Sequence, residues 1–253
     1  MLRAAYVDLD GTLLGRGASL FHDAEGAFTL LGARTLEACA RASVELVPYS
    51  GRRQSTLLHN AVLLGLRSYV YEAGCGMVLD GEVVTLVEES DDAAANALLL
   101  ERFPLELYDP WNRGRESSRL YLGQDVSVAK ADELLIERGF GAWRLVDNGL
   151  MHGADGGGRA YHLVPREASK ARAVAAHMQA RGFVAEDVIA VGDSMEDLGA
   201  ASVAGTFWLV ANATPEVHAA ARALENVRVA EASNGAGVYE AIITELAERR
   251  TGS

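Results

Sequence analysis

Residues 6–14 read Tyr-Val-Asp-Leu-Asp-Gly-Thr-Leu-Leu, an apolar segment that leads into two carboxylates separated by one residue. Alternate side chains of a strand point the same way, so Asp8 and Asp10 can converge just past the end of the strand. Gly11 lets the chain turn sharply beside them. Crowded carboxylates repel each other unless a hard cation lies between them, and Mg²⁺ fits this pattern. The simpler alternative is an acidic turn that binds nothing.

Four apolar runs predict buried parallel strands, because each is short and leads directly into a turn or a helix. They span residues 4–9, 44–49, 188–191 and 206–210. Segments rich in Ala, Leu, Glu and Arg predict helices at residues 32–42, 55–64, 169–181 and 214–224. Strands that alternate with helices are typical of an α/β protein with a parallel sheet and right-handed crossovers.

The middle of the chain has a different pattern. It offers hairpin-like strands at residues 81–87, 119–123 and 161–164, and helices at residues 91–102 and 126–138. This mixture predicts an inserted α+β domain over residues 77–165, between two parts of one α/β domain at residues 1–76 and 166–253. The glycine-rich residues 153–158 lack the spacing of a phosphate-binding loop, so we interpret them as a hairpin loop.

Polar residues occur at the end of other predicted strands. Ser50 and Gly51 follow the second strand, Asp193 follows the third with Asp197 four residues later, and Lys170 opens a predicted helix. Each has an ordinary explanation, such as a helix cap, a solvated lysine or an acidic first turn. In open α/β sheets, ligands bind at the carboxyl ends of the strands. The joint occurrence of these polar residues at strand ends and helix starts therefore predicts a functional site there.

In these motifs the sequence resembles the haloacid dehalogenase superfamily of phosphohydrolases. The resemblance covers essentially the whole chain and points to the type IIB branch, which includes Cof-like, sucrose-phosphatase-like and phosphomannomutase-like proteins. It implies a Rossmann-like doubly wound parallel sheet with an inserted α+β cap, a domain that covers the site. The matching motifs are residues 8–13, 50–52, Lys170 and 192–197, followed downstream by residues 210–216 and 234–238.

Two positions depart from the pattern of this branch. Glu196 stands where the branch usually has Asn, which removes a hydrogen bond expected near the phosphate. Residues 73–75 read Ala-Gly-Cys at the entrance to the cap, where Asn-Gly-Ala is common. We therefore expect a substrate contact to be missing or replaced there.

The resemblance implies a mechanism with an aspartyl-phosphate intermediate. Asp8 would be the nucleophile, and Asp10 would protonate the leaving group and then activate water. The cofactor would be Mg²⁺, held by the Asp8 carboxylate, the backbone carbonyl of Asp10 and Asp193.

The same resemblance assigns residues to the phosphorylated substrate. Ser50, the Gly51 amide and Lys170 would bind the transferring phosphoryl group, with Ser50 and Lys170 counted as catalytic. Arg52 and Asn212 would contribute to phosphate or substrate binding. Asp197 would orient Lys170.

The inserted cap is expected to exclude water and to select the leaving group. This type of cap favours a sugar phosphate or a phosphorylated polyol. A glycosyl phosphoglycerate also fits, since the arginine-rich residues 113–119 could bind its carboxylate. The polar candidates, most of them expected to be uninvolved, are Arg113, Arg115, Arg119, His152 and Arg159, with Arg52 from the core.

Two other functions share parts of this pattern. A phosphomannomutase-like enzyme would use the same Asp8 and Asp10 but return the phosphoryl group to the sugar. A phosphoacceptor signalling module also combines aspartates at strand ends with a Ser or Thr and a Lys, but it needs no cap. Release of inorganic phosphate without a bisphosphate activator would exclude the mutase.

Composition restricts the partners further. Lys plus Arg number 23 and Asp plus Glu number 35, so the net charge of −12 argues against nucleic acid. No apolar run approaches the roughly 18–20 residues that span a bilayer, and Asp8 interrupts any signal peptide, so we expect no membrane partner. Cys39 and Cys75 are too few for a disulfide framework, which favours the cytoplasm. The expected partner is a small phosphorylated molecule.

Overall fold

The computed structural model describes residues 1–88, 91–151 and 158–251, and its strands form three sheets. The strands are β1 (Ala4–Val7), β2 (Glu45–Pro48), β3 (Tyr69–Tyr71), β4 (Gly76–Leu79), β5 (Glu82–Thr85), β6 (Leu105–Leu107), β7 (Arg119–Gly123), β8 (Trp143–Met151), β9 (Gly158–Pro165), β10 (Val188–Gly192), β11 (Thr206–Leu209) and β12 (Val227–Val229).

Helices connect these strands, and none of those in the described ranges is long and apolar enough to cross a membrane. They are α1 (Leu31–Ala42), α2 (Gln54–Leu64), α3 (Ala93–Arg102), α4 (Asp109–Asn112), α5 (Val128–Glu137), α6 (Lys170–Arg181), α7 (Met195–Leu198), α8 (Pro215–Ala221) and α9 (Asn234–Thr251).

The largest sheet has five parallel strands in the order β12-β11-β10-β1-β2. Its strands β1, β2, β10 and β11 correspond to the four predicted apolar runs. The fifth, β12, was not predicted, because it has three residues and none of them is fully buried. A short edge strand of this kind carries no continuous apolar run.

Side chains alternate between the two faces of this sheet, and each face is covered by helices. Tyr6 packs in a cluster with α6 and α8, whereas its neighbour Val7 packs in a cluster with α1, α2 and α9. Burying one side chain of this size contributes about 1.5–3 kcal/mol. Both faces are apolar because both are covered, which explains the continuous apolar runs. The predicted doubly wound α/β fold is confirmed.

A small antiparallel sheet, β3-β4-β5, extends from the edge of the central sheet. Val70 forms a parallel bridge with Tyr49, and Met77 and Val84 pack against the cluster of α6 and α8. The predicted strand at residues 81–87 is therefore β5, a partner of β4. The domain limits at residues 76 and 166 stay a prediction.

The third sheet is antiparallel in the order β6-β7-β9-β8 and belongs to the inserted segment. Helices α3 and α5, both predicted, cover one face, where Tyr161 and Leu163 are buried. The alternate residues His162 and Val164 point to the other face, towards the central domain. An inserted α+β cap is thus present. Of the predicted loop at 153–158, only Gly158 lies within the described residues.

A buried glutamate joins the cap to the central domain. Glu72 lies in a 3₁₀ turn after β3 and is fully buried. Its carboxylate accepts hydrogen bonds from the backbone amides of Glu116 (3.1 Å) and Ser117 (3.0 Å) and from the Ser118 hydroxyl (2.7 Å). These bonds fix the segment that leads into β7, so the position of the cap sheet depends on a charged group of the core.

Candidate active site

The strand order brings the predicted site residues together. Strands β10, β1 and β2 are adjacent, and they are followed by Asp193, Asp8 and Ser50 at the same edge of the sheet. Helix α6 begins beside them at Lys170, because the Ser169 side chain caps it by accepting a hydrogen bond from the Arg172 amide. Residues far apart in sequence therefore surround one point.

Lys170 forms the centre of this group. Its Nζ lies 2.7 Å from Asp8 Oδ1 and 2.5 Å from Asp197 Oδ1, and all three side chains are buried. Burial alone would lower the pKa of Lys170, but the carboxylates of Asp197 and Asp8 outweigh it and raise the pKa. The ammonium group also lies 4.9 Å from the ring centroid of Tyr49. Lys170 is therefore a charged residue held in one position.

Asp197 has both carboxylate oxygens committed to protein donors. Oδ1 binds Lys170, while Oδ2 accepts from the Asp193 amide (3.2 Å), the Ser194 amide (3.0 Å) and the Ser194 hydroxyl (2.6 Å). Ser194 and Asp197 form the capping box that begins α7. The contact with Lys170 supports the orienting role predicted for Asp197.

The carboxylates around Lys170 are crowded enough to hold a cation. Asp8, Asp193 and Asp197 have oxygens within 4.8 Å of one another. Burial and, to a smaller extent, the charge of Asp197 raise the pKa of Asp193 to about 7. Burial also raises the pKa of Asp8. A divalent cation would offset this crowding. Asp8 and Asp193 are the available ligands, since Asp197 is committed elsewhere, and both belong to the predicted set.

Gly11 and Thr12 fix Asp193 from the side of β1. The Thr12 hydroxyl donates to Asp193 Oδ1 at 2.5 Å. A Cβ atom on Gly11 would lie 2.7 Å from Asp193 Oδ2, and its φ of +86° is a value that glycine adopts readily. Glycine is therefore required at this turn.

Asp10 does not join the carboxylate group. Its two oxygens accept hydrogen bonds from Arg52 Nε (2.7 Å) and Nη2 (2.5 Å), and Arg52 also binds Asn60. The predicted acid and base and a predicted substrate-binding residue are thus paired with each other. Asp10 borders two cavities beneath the cap, and Arg52 borders the smaller of them.

Gly51 brings the loop after β2 into contact with the cap. A Cβ atom on Gly51 would lie 3.1 Å from His162 Nε2 and 3.2 Å from the amide of Asn148, and Arg115 donates to the Gly51 carbonyl at 2.9 Å. The preceding Ser50 is buried, and its Oγ accepts from the Arg52 amide. The predicted phosphate-binding loop is therefore closed over by the cap.

Asn212 binds the chain turn after Asp10. Its Nδ2 donates to the Gly11 carbonyl at 2.7 Å, and Asn234 donates to the same oxygen at 2.9 Å. The backbone amide of Asn234 in turn donates to Asn212 Oδ1. The downstream motifs thus hold Gly11, and phosphate binding by Asn212 stays a prediction.

Two cavities separate the cap from the strand ends, and both reach Asp10, Gly11 and Asn148. The larger, about 460 Å³, also borders Asp193, Asn212, Asp147, Arg159 and Tyr161. The smaller, about 250 Å³, also borders Gly51, Arg52, Arg115, His162, Tyr108 and Trp111.

Comparison with known proteins connects this arrangement to a family. A family model described as haloacid dehalogenase-like hydrolase matches residues 147–242, which include Lys170, Asp193 and Asp197. Over these residues the chain is similar to the haloacid dehalogenase-like hydrolases. The family predicted from the motifs is therefore confirmed.

Relatives and solved structures agree with this assignment. The chain is 26% identical over 243 residues to the phosphoglycolate phosphatase of Archaeoglobus fulgidus, covering 95% of each. It is 29% identical over 238 residues to that of Pyrobaculum aerophilum, covering 93% of this chain and 92% of that protein. The Synechocystis sucrose-phosphatase structure, in complex with sucrose and phosphate, matches with a TM-score of 0.76, 16% identity and coverage of 97% and 98%. The prediction of a phosphatase is confirmed.

The cap residues predicted to select the leaving group fall into different surroundings. Arg115 borders the smaller cavity and Arg159 the larger one. Arg113 is exposed and pairs with Asp109, and Arg119 pairs with Asp92 away from both cavities. His152 lies outside the described residues.

His162 was missed by the sequence analysis. It is buried in β9 at the smaller cavity, and it is the only imidazole in the run Ala160–Val164. Strand alternation would have placed it opposite Tyr161 and Leu163, which was the available signal.

Glu196, which departs from the pattern of the hydrolase branch, reaches the cap. Arg144 of β8 donates to its two carboxylate oxygens at 2.9 and 2.7 Å and also binds the Ala168 carbonyl. Asparagine is shorter and carries no charge, so it cannot form this bidentate ion pair. The substitution therefore supplies a second polar connection between the core and the cap.

We predict that Glu196→Gln and Arg144→Gln are coupled in stability by about 1.5–3 kcal/mol, because the pair is bidentate and largely buried. A double-mutant cycle of unfolding free energies from urea denaturation measures this coupling. The control cycle uses Asp109→Asn and Arg113→Gln, an exposed pair expected to give below about 0.5 kcal/mol. Equal coupling in the two cycles would contradict the prediction.

Proposed function

We infer that the chain is a Mg²⁺-dependent phosphatase that hydrolyses a small phosphorylated metabolite through an aspartyl-phosphate on Asp8. The observation that carries this proposal is the buried contact of Lys170 with Asp8 and Asp197, beside Asp193 and beneath the cap. The names of the relatives, phosphoglycolate phosphatase and sucrose-phosphatase, support a small substrate.

The proposed ligands of Mg²⁺ are the carboxylates of Asp8 and Asp193 and the backbone carbonyl of Asp10. The donor set suits this ion, because Mg²⁺ prefers oxygen ligands and one or two carboxylates. When bound, it would neutralise the crowded carboxylates and polarise a phosphoryl oxygen.

Asp8 acts as the nucleophile in this proposal. Its Oδ1 is held by Lys170, which leaves Oδ2 to attack phosphorus in line. A bond forms between Oδ2 and phosphorus as the bond to the leaving oxygen breaks. In this proposal Lys170, the Ser50 hydroxyl and the Gly51 amide bind the charged phosphoryl oxygens and thereby stabilise the transition state.

Asp10 supplies the proton transfers. It protonates the leaving oxygen, and then takes a proton from the water that attacks the aspartyl-phosphate. Arg52 pairs with Asp10, and we propose that an anionic substrate offers the guanidinium an alternative partner. Substrate binding would in this way free the acid at the moment it is needed.

Three kinds of substrate fit this site. The cap type favours a sugar phosphate or a glycosyl phosphoglycerate, and the relatives' names add phosphoglycolate. All are phosphomonoesters of small polar alcohols. The proposal includes a cytoplasmic location, which the two buried, unpaired cysteines Cys39 and Cys75 support.

We predict that Asp8→Asn lowers phosphate release from para-nitrophenyl phosphate and 2-phosphoglycolate by at least about 10³-fold, because the nucleophile is lost. Asparagine can still accept the hydrogen bond from Lys170, so the melting temperature should stay close to that of the wild type. The exposed Asp109→Asn is the control and should retain full activity. Phosphate release by Asp8→Asn within tenfold of the wild type would contradict the nucleophile assignment.

We predict that Mg²⁺ raises the melting temperature of the wild type, since it binds the folded protein only. At a concentration 100 times its Kd the gain is about 2.7 kcal/mol, or roughly 5–10 °C for a chain of this size. Asp193→Asn should lose most of this shift, and Asp109→Asn should keep it. Bound metal is first removed with EDTA, the EDTA is removed, and the melting temperature is measured by calorimetry with and without Mg²⁺. An undiminished shift in Asp193→Asn would exclude Asp193 as a ligand.

A further inference from the structure

Several polar side chains of the smaller cavity have no function in the mechanism. Arg115, Asn148 and His162 all approach Gly51 from the cap. We call these three side chains the Gly51 corner. They lie next to the loop proposed to bind the phosphoryl group, on the side where the rest of a substrate would extend.

Arg115 is a partly buried cation that makes no direct ion pair with any described residue; the Ser118 hydroxyl lies between it and the buried Glu72 carboxylate. The hydrogen bonds found within the described residues use its Nε and Nη1, which bind the carbonyls of Trp111 and Gly51 and the Ser118 hydroxyl. No carboxylate of residues 1–88, 91–151 or 158–251 lies within 4.0 Å of its guanidinium. By contrast, the other partly buried cap arginines are paired, namely Arg119 with Asp92, Arg144 with Glu196 and Arg159 with Asp147.

His162 is buried with an unsatisfied ring. It is 2% exposed, and its Nδ1 has no hydrogen-bond partner among the described residues. Burial, followed by the charges of Arg115 and Lys170, lowers its pKa well below the usual value, so the ring is neutral and one nitrogen carries a proton. Nδ1 is closed off from solvent, whereas Nε2 lies next to Gly51 at the smaller cavity and is the ring nitrogen available to a ligand there.

Asn148 adds an amide that borders both cavities. The Gly51 corner therefore presents a guanidinium, an amide N–H and an imidazole, which are all able to donate hydrogen bonds to one group. Their combined charge is positive, and their natural ligand is an anion with several acceptor sites. A carboxylate meets this description, and a cavity of about 250 Å³ has room for a small hydroxy acid.

We propose that Arg115, Asn148 and His162 form a subsite that binds a carboxylate on the leaving group. The preferred substrates are then phosphomonoesters of small hydroxy acids, with the hydroxyl oxygen bonded to phosphorus. This inference rests on the proposed phosphatase function and narrows it. Phosphoglycolate and phosphoglycerate carry the required carboxylate on the leaving group, whereas the phosphate of a neutral sugar does not.

A pair of substrates isolates the carboxylate. 3-Phosphoglycerate and glycerol 3-phosphate share one skeleton, with a carboxylate in the first where the second has a hydroxymethyl group. The expected ratio of their kcat/KM values is at least tenfold in favour of 3-phosphoglycerate for the wild type. His162→Leu, Asn148→Ala and Arg115→Gln should each lower this ratio at least fivefold, while hydrolysis of glycerol 3-phosphate changes less than threefold.

Two controls accompany these variants. Arg113→Gln alters an exposed arginine of the same segment and should leave the ratio unchanged. Arg115 also contacts Gly51 and Ser118, so Arg115→Gln can change the position of the cap. His162→Leu and Asn148→Ala test the subsite without altering these contacts. A wild-type ratio near one, or equal losses for both substrates in His162→Leu and Asn148→Ala, would overturn the subsite.

Measurements of binding affinity test the carboxylate subsite separately from the proposed phosphatase activity. In the Asp8→Asn protein, calorimetry should show that 3-phosphoglycerate binds at least tenfold more tightly than glycerol 3-phosphate. Adding His162→Leu should remove the preference, and adding Arg113→Gln should not. Equal affinities in Asp8→Asn would overturn the subsite even if the enzyme is a phosphatase. A clear preference without any turnover by the wild type would support the subsite and contradict the proposed function.

Discussion

The buried contact of Lys170 with Asp8 and Asp197 is the interaction on which the site depends. Two carboxylates and one ammonium group lie out of water, and the ammonium group compensates both carboxylates. Removing Lys170 would leave two buried carboxylates without a compensating charge, and breaking a buried ion pair in this way typically costs about 3–5 kcal/mol. Since Asp8 follows β1, Asp197 lies in α7 and Lys170 begins α6, the contact holds together three separate parts of the chain.

The cap depends on the same region through polar contacts of its own. Glu72 binds the segment before β7, and Glu196 binds Arg144 of β8, while the helices α3 and α5 cover the far face of the cap sheet. Because that face is occupied, the residues on the near face are turned towards the strand ends. The architecture thus places cap side chains over Gly51 without any of them belonging to the family motifs.

The sequence was sufficient to predict the parts of this arrangement that depend on local patterns. Continuous apolar runs predicted β1, β2, β10 and β11, and the polar residues that follow strands predicted where Asp8, Ser50 and Asp193 would meet. This succeeds because a buried parallel strand needs an apolar run, and a parallel sheet aligns the carboxyl ends. The short strand β12 was not predicted, since three partly exposed residues produce no pattern.

Contacts between side chains distant in sequence could not be predicted in this way. Arg52 and Asp10 are 42 residues apart, and Arg144 and Glu196 are 52 residues apart. Neither pairing has a local signature, because an arginine in a sequence has many carboxylates within possible reach. The function of His162 depends on the same kind of information, as its position relative to Gly51 follows only from how the cap sheet packs against the core.

In the proposed mechanism the phosphoryl group is transferred to Asp8 before water attacks it. The most direct measurement is to mix enzyme, Mg²⁺ and substrate in a single turnover, quench, reduce with borohydride and sequence the peptide containing residue 8 by mass spectrometry. An aspartyl-phosphate is reduced to homoserine, so we expect homoserine at position 8 and unchanged aspartate at position 10. Full phosphate release with unmodified Asp8 at every quench time would contradict it.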